Sequence, residues 1–74
     1  MSRLPTLTAR QVVKALLKAG FIEEHQRGSH LSLYHPGTRH QTVVPMHSGD
    51  LHRGLLRAIL KQSGLTEEQF RELL

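Results

Sequence analysis

At 74 residues with no cysteine, the chain supports one small core and excludes disulfide staples and thiolate-held zinc or iron–sulfur sites. No stretch approaches the roughly 20 apolar residues of a membrane span, so a single soluble, cytoplasmic domain over residues 1–74, without a leader, is expected. The formal net charge is +4, and the stretch from His25 to Lys61 holds all of it: Arg27, Arg39, Arg53, Arg57 and Lys61 against Asp50, together with every one of the six histidines. Such a basic, histidine-rich middle suggests an anionic partner, nucleic acid above all.

The first helix announces both of its ends. Thr8 followed by Gln11 is a capping box, Val12, Val13, Leu16 and Leu17 recur at helical spacing, and Gly20 is placed as a left-handed stop with Phe21 folding back on Leu16. "FIEEHQRG" follows with Phe21 and Ile22 as its apolar anchors, and reads as a short strand or sheet edge. Gly28 is a turn or bulge residue. "SHLSLYH" then alternates: Leu31 and Leu33 point one way, and His30, Ser32 and Tyr34 the other.

"HPGTRH" has turn chemistry, Pro36 presetting φ and Gly37 supplying a positive one. "QTVVPM" is a β-branched strand that Pro45 ends. "HSGDLHRG" reads as a loop or single helical turn with Asp50 as N-cap. A second helix, "LLRAILKQSG", buries Leu55, Leu56, Ile59 and Leu60, carries Arg57 and Lys61 four apart on a polar side, and stops at Gly64. Thr66 and Gln69 form another capping box, opening a short terminal helix with Phe70, Leu73 and Leu74 as anchors. The expected fold is α+β: helix, three-stranded antiparallel sheet and helix, both helices on one sheet face, plus a short C-terminal helix. His30 then belongs to the open face.

Two chemical readings of the histidines compete with simple exposure. His25, His30, His35 and His40 recur every five residues, but odd spacing puts neighbours on opposite strand faces and argues against a metal site. A single catalytic histidine fits better. Imidazole titrates near pH 6.5, so it can take a proton from a ribose 2′-OH or hand one to a leaving 5′-oxygen, with nearby cations at the phosphate.

The blocks "GSHLSLYHP" (28–36), "VPMH" (44–47) and "GLLRAILKQSGL" (54–65), preceded by a capped helix ending in "AGF", resemble the HicA-type mRNA interferase toxins over essentially the whole chain. The resemblance implies a fold like the double-stranded RNA-binding domain and ribonuclease activity on mRNA. It further implies His30, the histidine of the "GSH" block, as the catalytic residue, and a HicB-type antitoxin partner that masks it in a hetero-oligomer. No metal or other cofactor is implied. Leu55 and Ser63 stand where the family more often carries Thr and Ala, positions that bear on packing. Arg27, Ser29, Arg39, His47, Arg57 and Lys61 are the candidate RNA contacts, His47 through the positive end of the second helix. His35 is expected to face inward with a hydrogen bond. The alternative is a non-catalytic double-stranded RNA-binding module, although "DLHRG" stands where such modules carry a lysine cluster. A purely protein-binding domain is a third reading.

Overall fold

The computed structural model describes residues 4–47 and 49–74; Ser48, inside the expected connection to the second helix, lies outside them. In chain order the elements are β1 (Leu7–Thr8), α1 (Ala9–Lys18), β2 (Ile22–Arg27), β3 (His30–Tyr34), β4 (Gln41–Pro45), β5 (Asp50–Leu51), α2 (Arg53–Ser63) and α3 (Glu67–Glu72). The fold is α+β and of the double-stranded RNA-binding-domain type, as expected. Strands β2, β3 and β4 form an antiparallel sheet in that order, while β1 and β5 form a separate two-stranded ladder.

Both ends of α1 follow from side-chain chemistry. Gln11 N donates to Thr8 Oγ1 at 3.2 Å and Thr8 N to Gln11 Oε1 at 2.9 Å, so two backbone donors left over by the helix are satisfied reciprocally. At the other end Gly20 N donates to Leu17 O and Phe21 N to Leu16 O, with Gly20 at φ +104°. This closure drops Phe21 into the core beside Leu16. The same helix presents Val12, Val13 and Leu16 to the sheet, where Leu31 and Leu33 of β3 and Val44 of β4 are also buried, together with Leu56, Ile59 and Leu60 of α2. Phe70 of α3 is 0% exposed and completes this core.

The β2–β3 connection is the two-residue turn Gly28–Ser29, closed by the pair Arg27 and His30, with Gly28 at φ +60°. That handedness matches the twist of paired strands, and glycine adopts it without a Cβ clash. β2 is an edge strand as expected, but runs for six residues, all exposed. Between Glu23 and His25 its register shifts, a bulge that blunts a free edge.

Three local expectations change, and one pairing is new. Ser32 is buried, because it sits on the central strand between His25 and Val43, whose side chains cover so short a group. The positive φ of the β3–β4 turn belongs to Arg39, at +66°, and not to Gly37. What Gly37 supplies is room, since a Cβ there would lie 3.0 Å from the His35 ring. Asp50 lies in β5, and α2 is capped instead by His52, whose Nδ1 accepts from Leu55 N at 3.1 Å. The β1–β5 ladder, Leu7 with Leu51 and Thr8 with Asp50, was not anticipated.

His35 faces inward, as expected, and ties the turn to α1. Its Nδ1 accepts from Gly37 N and Thr38 N, both at 3.1 Å, so the hydrogen sits on Nε2 and is donated to Ala19 O at 3.1 Å. The ring meets Phe21 edge-on at 5.1 Å. A Cβ on Gly20 would stand 2.7 Å from His35 Nε2, at a φ that side chains rarely adopt. Gly20→Ala therefore combines backbone strain with a clash against a ring fixed by three hydrogen bonds, and should cost about 2–4 kcal/mol in urea unfolding. Gly28→Ala, with open space around its Cβ, should cost only the left-handed strain of about 1–2 kcal/mol. Equal losses would show that the His35 contact contributes nothing.

Candidate functional site

Residues directly opposite in an antiparallel ladder share a face, with Cβ atoms roughly 4.5–5.5 Å apart. The observed pairs therefore stack three rows on the face away from the helices. Arg27, His30 and Pro45 form the first row, His25, Ser32 and Val43 the second, and Ile22, Tyr34 and Gln41 the third. Ile22 is 50% and Val43 40% exposed, which makes this face apolar in its middle and basic at the hairpin end. Gln41 Nε2 donates to Glu24 Oε1 at 2.9 Å across the far end.

His30 is exposed on the first row, and its ring forms no hydrogen bond to a described residue. The alternation of β3 turns Leu31 and Leu33 inward and leaves His30 outward, while the tight turn sets Arg27 directly beside it. Met46 N donates to Ser29 O, so the β3–β4 pairing continues one residue past Pro45 and brings the 46–47 segment to the same end of the sheet. His30 is thus an imidazole open to solvent, with Arg27 directly opposite and His47 nearby in the chain path.

The remaining histidines have other work. His35 and His52 hold backbone groups, and His40 lies over Gly64, whose added Cβ would meet its ring at 2.5 Å. His25 occupies the second row of the open face. Among the described residues no three His, Asp or Glu side chains gather as a metal site.

The candidate RNA contacts separate into three places. Arg27, Ser29 and His47 lie at the hairpin end with His30. Arg39 sits in the β3–β4 turn at the opposite end of the sheet, where Arg39 N donates to His35 O. Arg57 and Lys61 are on the exposed side of α2, in the helical layer, and Arg57 Nε pairs with Glu67 at 3.5 Å. Spacing alone identifies these cations without saying which layer each joins.

One cation escaped the sequence reading. Arg10, in the first turn of α1, shares a pocket with His47 that Thr8, Ala9, Met46 and Gly49 also line. His47 therefore approaches the start of α1. The signal would have been the β1–β5 ladder, but two-residue strands carry no readable alternation.

No helix among the described residues is long and apolar enough to cross a membrane. None of the curated proteins compared with this chain matches it. Residues 9–65 match the family model described as "HicA toxin of bacterial toxin-antitoxin". Because that match runs from the first residue of α1 past the glycine stop of α2, and so takes in the sheet and both long helices, the chain belongs to the HicA family of bacterial toxin–antitoxin toxins.

Proposed function

We propose that this protein is a metal-independent endoribonuclease that cleaves mRNA, with His30 as its catalytic residue. The observation that carries the reading is an exposed histidine beside Arg27, on the open sheet face of a HicA-family fold. RNA brings its own nucleophile. The ribose 2′-oxygen attacks the adjacent phosphorus, the bond to the 5′-oxygen breaks, and a 2′,3′-cyclic phosphate and a 5′-hydroxyl are left. His30 moves one proton of this exchange, from the 2′-OH or to the departing 5′-oxygen, and solvent carries the other. Arg27 stabilises the charge that builds on the phosphoryl oxygens. Ser29 and His47 hold the neighbouring backbone, and Arg39, Arg57 and Lys61 contribute to the field that attracts the strand.

Cleavage of a defined single-stranded mRNA, measured beside gel shifts with single-stranded and duplex RNA, tests this reading. Cutting of the single strand is expected. Preferential duplex binding with no cleavage after long incubation would replace it with a non-catalytic double-stranded RNA-binding module.

The same face supports a HicB-type antitoxin as partner in a hetero-oligomer. Exposed Ile22 and Val43 offer apolar area, while Arg27, His25 and His30 favour an acidic surface over them. Association should weaken steeply between low and physiological salt, and the bound antitoxin should stop cleavage. Full cleavage at saturating antitoxin would rule out masking of His30.

A further inference from the structure

The pocket at the start of α1 lies outside the catalytic row yet on the same end of the molecule. Its lining runs from Thr8, Ala9 and Arg10 on one side to Met46, His47 and Gly49 on the other. Two observations connect it to His30. Pro45 stands opposite His30 in the ladder, and Met46 N bonds to Ser29 O, so the wall of the pocket begins where the row of His30 ends. The β1–β5 ladder then holds Asp50 and Leu51 against Thr8 and Leu7, at the entry to α1.

The chemistry of the pocket is that of an anion site. Arg10 is exposed and forms no ion pair with a described carboxylate, unlike Arg57 and Arg71, which both pair with Glu67. His47 adds an imidazole, and the first turn of α1 carries no acidic residue. Asp50, opposite Thr8 in the ladder, brings a carboxylate to the margin.

We propose that Arg10 and His47 form a second phosphate-contact site, which grips the RNA backbone next to the linkage cleaved at His30. The proposal rests on the RNA-cleaving reading above. In it, a strand whose scissile phosphate lies between His30 and Arg27 passes over Met46 and sets an adjacent phosphodiester between the guanidinium and imidazole. Arg10 is then a positioning residue: it touches no reacting atom and fixes where along the strand His30 acts. A backbone contact of this kind carries no base information.

The test is anisotropy binding of a fluorescent single-stranded RNA to His30→Ala protein, which cannot consume the probe, over a range of salt concentrations. Arg10→Gln in that background should weaken binding about three- to tenfold and make the slope of log K against log salt shallower by about 0.7, one phosphate contact on a single strand. Lys14→Gln is the control. It removes the same charge one turn further along α1, on the groove lined by Lys18 and Leu73, and should change the slope little. Asp50→Asn should strengthen binding. Kinetically, Arg10→Gln in the otherwise native chain should raise KM and leave kcat nearly unchanged. If Arg10→Gln and Lys14→Gln coincide in affinity and slope while the protein still binds and cuts RNA, the second site is refuted and the catalytic reading stands. If the protein neither binds nor cuts RNA, both fall.

Discussion

Phe70→Ala is expected to destabilise the protein by about 3–5 kcal/mol, the range for deleting a buried aromatic side chain and leaving its cavity. A domain of this size holds only about 4–11 kcal/mol in total, so the loss takes a large share of its stability. The family match ends at Leu65, but the core does not: Phe70 lies wholly within it. Its helix is short and held by a capping box, with Gln69 N donating to Thr66 Oγ1 at 3.0 Å and Thr66 N to Gln69 Oε1 at 2.9 Å. Lys18 Nζ also donates to Leu73 O at 3.3 Å, which fastens α3 to α1. Six residues do not form a stable helix alone, so the main anchor is the burial of Phe70, with Leu65 and Leu73 packed against the same core. Urea unfolding measures the effect, and Phe70→Leu should recover more than half of it. A midpoint within experimental error of the native chain would show α3 to be a loosely attached tail.

The second large effect is on chemistry. His30→Ala should leave the unfolding midpoint unchanged, because the ring is exposed and makes no hydrogen bond to a described residue. Cleavage should fall by about 10²–10⁴-fold, the usual contribution of a positioned proton carrier, while RNA affinity changes little. His25→Ala is the informative companion, since His25 shares the open face one row away from His30. It should retain most activity. Equal losses from both would mean that the face binds RNA through its imidazoles without either acting as the proton carrier.

The sequence made the helices legible because their signals are local. Thr8 with Gln11, Thr66 with Gln69, and the stops at Gly20 and Gly64 each depend on contacts within one or two turns, and all four are observed. His30 on the open face was equally readable, since alternation in β3 needs only the buried Leu31 and Leu33 to set its phase. Ser32 shows the limit of that rule. Parity gives the direction of a side chain, but exposure also depends on the neighbours, and His25 and Val43 cover a residue as short as serine.

What stayed hidden is non-local. Pairing of Leu7 with Leu51 spans most of the chain, and it helps to bring His47 to α1 and Arg10 into the same pocket. The chemistry of Pro36–Gly37 does mark a turn, but Gly37 there gives room to the His35 ring while Arg39 takes the positive φ. Likewise Asp50 has a good capping side chain, yet strand pairing removes it from the helix and His52 takes the position. In each case a contact between distant segments overrides a valid local preference.

The most direct measurement is cleavage of a defined single-stranded mRNA in EDTA, followed by identification of the product ends. A 2′,3′-cyclic phosphate facing a 5′-hydroxyl, produced at an undiminished rate in the chelator and absent with His30→Ala, is the predicted result. Loss of cutting in EDTA, or a 5′-phosphate at the new end, would contradict a histidine-driven attack by the 2′-oxygen.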